Sequence, residues 1–127
     1  MKNWSGHIYF EDKFEWSKLD KVFPEIYNLL VDQKKNPEDQ QFDQVMLQLN
    51  LEEIKKNKKP LGYLKEDAKY HIIFPLDRKS IIIYRGILSD DIRNMTEEVV
   101  KMLRNRKIKL DVDYDKMILY ELRKMKK

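Results

Sequence analysis

The apolar positions change period along the chain, and each period names an element. His7-Ile8-Tyr9-Phe10-Glu11 is dense in β-branched and aromatic residues and reads as a short strand. Trp16, Leu19, Val22, Phe23, Ile26, Tyr27 and Leu30 then recur three and four residues apart, which lines one face of a helix. Pro24 interrupts that pattern. Its ring clashes with a preceding carbonyl, so the sequence predicts a kink, or two short helices with Pro24 in the first turn of the second.

Asn36-Pro37-Glu38-Asp39 opens another helix with an amide cap, a proline at the first position and carboxylates near unpaired backbone N–H groups. Its apolar stripe is Phe42, Val45, Met46 and Leu49, continued by Glu53 or Ile54. Lys55, Lys56, Lys58 and Lys59 favour its C-terminal end, and Pro60 stops it. This helix and the one before it are expected to form a hairpin over a common core.

Sheet-forming residues dominate from Tyr70 onward. Tyr70-His71-Ile72-Ile73-Phe74 and Ser80-Ile81-Ile82-Ile83-Tyr84 flank a polar connection and read as a β-hairpin, with apolar residues on both faces as central strands require. Ser89-Asp90-Asp91 opens a third helix along Ile92, Met95, Val99, Met102 and Leu103, with Arg104, Arg106 and Lys107 at the end the macrodipole favours. Residues 107–114 alternate charged and apolar, placing Ile108, Leu110, Val112 and Tyr114 on one sheet face and leaving the other wet. Residues 117–122 read as a strand pairing back on residues 108–113 through a turn near Asp115, or as the start of a short helix; their proximity to the alternating strand favours the first. The predicted order is β-α-α-β-β-α-β-β: one compact α+β domain over residues 1–127, with an antiparallel or mixed sheet of about five strands packed by three or four helices and a short basic C-terminal tail.

Composition narrows the function classes. At 127 residues, 42% apolar and 38% charged, the chain has core material for one domain and a strongly solvated surface. Without cysteine it has no disulfide, thiolate nucleophile or thiolate metal site, and a cytoplasmic location is the simplest expectation. No run approaches the roughly 20 apolar residues that span a bilayer, so no membrane partner is expected. The formal charge of +4 is unevenly spread: residues 1–50 carry 6 basic and 9 acidic side chains, whereas residues 51–127 carry 20 and 13. Such a dipolar chain steers toward an acidic surface or a phosphate backbone.

Candidate chemistry is sparse. Asp111-Val112-Asp113-Tyr114-Asp115 opens like a calcium loop, but Lys116 and Leu122 stand where the loop needs glycine and a bidentate glutamate. Asp111 and Asp113 are better read as charges on the outer face of a peripheral strand, where they discourage edge association. His7 and His71 lie far apart in sequence within apolar strand patterns, which suits structural histidines better than ligands or bases. Gly6, Gly62 and Gly86 form neither a phosphate-cradling loop nor a nucleophile elbow, and no catalytic residue, metal ligand or cofactor site is assigned.

Three basic clusters remain: the lysines at 55, 56, 58 and 59; Lys101, Arg104, Arg106, Lys107 and Lys109; and Arg123, Lys124, Lys126 and Lys127. A joint patch would bind RNA or DNA with marked salt dependence, while taken singly each cluster is accounted for as a helix end or solvated tail. Among the tyrosines that could stack on bases, Tyr63, after Pro60-Leu61-Gly62, is the better surface candidate. The leading expectation is a non-enzymatic protein-binding module, such as an inhibitor, adaptor or immunity-type regulator, that occludes a partner with an acidic surface. Its assigned contact residues are Tyr63, Lys101, Arg104, Arg106 and Lys107, at the basic end of the third helix and in the Leu61-Gly62-Tyr63-Leu64 loop. Nucleic-acid binding is the alternative, and a small metal-dependent hydrolase a more distant one. A homo-oligomer that covers an exposed apolar side of the sheet is a further expectation.

Overall fold

A computed structural model describes residues 2–31 and 36–115 and bears out the α+β class. A strand, β1 (Asn3–Phe10), leads into a 3-10 turn at Trp16–Leu19 and two helices, α1 (Phe23–Leu30) and α2 (Pro37–Lys55). Next come β2 (His71–Ile73), β3 (Ser80–Ser89), α3 (Asp91–Asn105) and β4 (Leu110–Tyr114). Pro24 sits in the first turn of α1, so the interrupted pattern resolves as two short helical pieces.

The described strands form a four-stranded antiparallel sheet in the order β2-β3-β1-β4. Two expectations are corrected. The sheet has four described strands rather than about five, and residues 117–122 and the tail residues Arg123, Lys124, Lys126 and Lys127 lie outside the described residues. The hairpin of β2 and β3 is present, but β2 is an edge strand and the central pair is β3 and β1. β1 takes the centre because β3 and β4 both run antiparallel to it, at Ile8↔Ile81 and Ile8↔Val112, while α3 crosses over it between them.

Alternation on β1 divides the sheet into two faces. Ile8 and Phe10 join Ile81, Ile83, Val99 and Leu103 in the core beneath the helices. Ser5, His7 and Ile82 point to the opposite side and are buried as well.

Helix α2 corrects a third expectation. Phe42, Val45 and Leu49, predicted to face the core, are 42%, 50% and 39% exposed, whereas Asp43, Asn50 and Ile54 are buried. Hydrogen bonds fix this rotation. Asn50 clamps the backbone of Gly62, accepting from its N–H at 2.7 Å and donating to its carbonyl at 3.0 Å. Asp43 accepts from the Tyr63 hydroxyl at 2.5 Å, and the Tyr27 hydroxyl donates to the Asp43 carbonyl at 2.7 Å. Buried polar groups are tolerated when their partners are in place, and these side chains select one face of α2 against the apolar pattern.

Candidate partner-binding surface

Both basic helix ends close by the same backbone device. In α3 the N–H of Lys107 reaches the carbonyl of Arg104 at 2.9 Å and the N–H of Ile108 reaches Leu103 at 3.2 Å, the paired bonds of a Schellman cap. In α2 the N–H of Asn57 reaches Ile54 and that of Lys58 reaches Glu53, each at 2.9 Å. The cap needs a left-handed residue, supplied by Lys107 at φ 61° and Asn57 at φ 58°. Asparagine accepts that conformation at small cost; lysine does so less readily. The outcome at α3 is directional: Ile108 is drawn into the core beside Leu103, and Lys107 is turned out into solvent.

The 3-10 turn at Trp16–Leu19 links these two ends. The Asn57 side chain accepts from the Ser17 N–H at 3.0 Å, which ties the end of α2 to the turn. On the other side of the turn, Ser17, Lys18, Asp20, Lys21, Arg106, Lys107 and Ile108 line an open concavity of about 510 Å³. A second one, of about 270 Å³, shares Lys18, Lys107 and Ile108 and adds Lys13 and Lys109 among its lining. Two helix ends separate in sequence therefore border one turn, although the α2 lysines line neither concavity and Lys59 donates to the Phe74 carbonyl at 3.2 Å. Arg106 is held by Glu25 of α1 at 3.2 Å, an exposed ion pair that orients the guanidinium more than it stabilises the fold.

The contact residues expected from sequence separate in space. Arg106 and Lys107 line the concavity; Lys101 and Arg104 are exposed on α3 without lining it, and Lys101 contacts Glu98 at 3.4 Å. Tyr63 is a correction, because it is fully buried and cannot offer its ring to a partner. Gly62 precedes it at φ 85°, and a Cβ there would lie 2.3 Å from the carbonyl oxygen of Ile72, so the chain dips inward and Tyr63 bridges to β2. Burial, followed by the hydrogen bond to Asp43, raises its phenol pKa well above the usual value. Lys18 and Lys21 were missed, since only the fold brings the 3-10 turn beside the end of α3.

Elsewhere, chemistry-bearing residues are engaged in structural contacts. Ser5 Oγ lies 2.8 Å from His7 Nε2, but both side chains are fully buried and His7 Nδ1 has no hydrogen-bond partner. Burial lowers the His7 pKa to about 4, against the pull of Asp113 and Asp115. His71 is separated from His7 by β3 and lies 2.9 Å from the Lys65 carbonyl. The Asp111, Asp113 and Asp115 run does not converge: Asp115 accepts from the Trp4 and Ser5 N–H groups at 2.6 and 3.1 Å and from the Asn3 amide at 2.8 Å. Among the described residues no group of three or more histidine or acidic side chains is placed to hold a metal, and no helix is long and apolar enough to cross a membrane. Compared with protein-family models, with curated proteins and with solved structures, the chain has no significant match.

Proposed function

We propose that the chain is a non-enzymatic protein-binding module that occludes an acidic surface of a protein partner with its basic end. The observation that carries this reading is the meeting of two Schellman-capped basic helix ends at the 3-10 turn, with Lys18, Lys21, Arg106 and Lys107 rimming one concavity. Backbone hydrogen bonds fix the α3 end that carries Arg106 and Lys107, so less ordering entropy is lost when a partner docks. Interleaved Asp20 and Glu25 limit the local positive field, which suits a patterned protein surface better than a uniform phosphate backbone.

The test is affinity capture with tagged chain from native lysate, in nuclease-treated and untreated samples. The comparison is a variant carrying Lys18→Glu, Lys21→Glu and Arg106→Glu. A protein recovered after nuclease at moderate salt, and lost with the variant while folding is intact, supports the reading. Recovery limited to nuclease-sensitive material favours nucleic-acid binding, and recovery indifferent to the variant removes the basic end from the contact.

A further inference from the structure

The outer face of α2 departs from the rest of the surface. In a chain that is 38% charged, residues 40–51 contain one charged side chain, Asp43, and it is buried. The exposed side chains over that stretch are Gln40, Gln41, Phe42, Gln44, Val45, Gln48 and Leu49. Depletion of charge around exposed apolar residues is the composition of an interface centre, while isolated exposed apolar residues need no such explanation. Leu61 and Leu64, about half exposed, flank the Gly62-Tyr63 pair that touches Asn50 and Phe42, and they widen the apolar area.

The spacing on this face specifies an occupant. Glu38, Phe42, Val45, Leu49, Glu52 and Lys56 are all exposed and are separated by four, three, four, three and four residues, the spacing of a helix–helix seam. That row is unchanged in spacing when reversed. Laid antiparallel on a second copy, it places Val45 opposite Leu49 twice, Phe42 opposite Glu52 twice and Glu38 opposite Lys56 twice. The Gln41, Gln44 and Gln48 amides flank the seam without adding charge. Parallel pairing would instead set the acidic start, Glu38 and Asp39, against itself and the lysine-rich end against itself.

From this self-complementarity we propose that the chain forms a two-fold symmetric homodimer through antiparallel pairing of α2, with Val45 and Leu49 at its centre and Glu38–Lys56 ion pairs at its ends. The interface is isologous and closed, so assembly stops at two copies. It buries the apolar stripe and leaves the concavity at the 3-10 turn outside the seam. The seam adjoins the basic end at Lys56 but uses none of the residues that line the concavity, so this inference is tested independently of the proposed function.

Sedimentation equilibrium of the full chain tests it. The wild type is expected to dimerise, and Val45→Glu to sediment as a folded monomer with unchanged circular dichroism. Glu38→Lys and Lys56→Glu are each expected to weaken the dimer about tenfold, and the double swap to recover it, because the swap restores opposite charges across the seam. With no native cysteine, crosslinking reads the orientation directly. Val45→Cys chains mixed with Leu49→Cys chains should form a disulfide faster than Glu38→Cys chains do among themselves. A wild type that stays monomeric, a dimer indifferent to Val45→Glu, or preferential crosslinking at Glu38→Cys overturns the proposal.

Discussion

Gly6 of β1 and Thr96 of α3 touch so closely that a Cβ on Gly6 would lie 1.9 Å from the threonine Oγ1. Here helix and sheet meet with only the small Thr96 side chain between them, and Thr96 donates its hydroxyl to the Ile92 carbonyl at 2.7 Å within its own helix. Gly6→Ala is therefore expected to destabilise the fold by about 1–3 kcal/mol, the usual range for overpacking a tight contact. Thr96→Ala should relieve it only in part, since the Thr96 Cβ would itself sit 2.8 Å from the new methyl group. Urea denaturation of the two single variants and the double reads both effects, and a Gly6→Ala chain as stable as the wild type would show that α3 rides higher on β1.

The rotation of α2 makes a second test. Asn50→Ala leaves the N–H and carbonyl of Gly62 without their partner in a buried setting and is expected to cost about 2 kcal/mol. Leu49→Ser, one residue away but exposed, should change stability by no more than about 0.5 kcal/mol when measured at dilutions where both chains are monomeric. The opposite ranking would mean that the apolar stripe is the inner face after all.

That ranking marks how far the sequence could be read. Asn36 accepts from the Asp39 N–H at 2.9 Å and Pro24 sits in the first turn of α1, as local rules require, because caps and proline act through neighbouring atoms. The burial of Ile8, Ile81 and Ile83 also followed from the density of β-branched residues in two segments. The face of α2 could not be read this way. Period alone favours Phe42, Val45 and Leu49 as the buried stripe, and it is overruled by Asn50 and Asp43, whose partners Gly62 and Tyr63 arrive from a loop with no periodicity of its own. Tyr63 was misplaced for the complementary reason: a loop residue after Pro60 and Gly62 reads as exposed until the phenol meets a buried carboxylate. Arg106 and Lys107 were legible as a basic helix end, but Lys18 and Lys21 join them only through the tertiary meeting of the 3-10 turn with α3.

Acid should weaken the fold through His7. Its pKa falls to about 4 in the folded chain, from an ordinary 6.5, because burial disfavours the imidazolium more than Asp113 and Asp115 favour it. The unfolded chain binds the proton more tightly, so this contribution is intact above pH 6.5 and is lost as the pH falls from there through about 4. The full loss is on the order of 3 kcal/mol. Denaturation midpoints at several pH values should decline over that window, and His7→Gln should flatten the decline while keeping a polar partner for Ser5. A decline of equal steepness in His7→Gln would assign it to other groups.

Lys107 sets stability against contact. It occupies the left-handed position of the α3 cap at φ 61°, where glycine carries no steric penalty, so Lys107→Gly is expected to stabilise the chain by about 0.5–1 kcal/mol. A residue that keeps an unfavourable conformation and projects a charge beside Arg106 and Lys18 is accounted for if that charge is used. The same variant should then bind the partner more weakly, mainly through slower association and a shallower salt dependence. Thermal denaturation paired with binding kinetics at two ionic strengths separates the effects. Higher stability with unchanged association would leave the lysine at this cap without a role in the contact, and would move the binding surface toward Lys18 and Lys21.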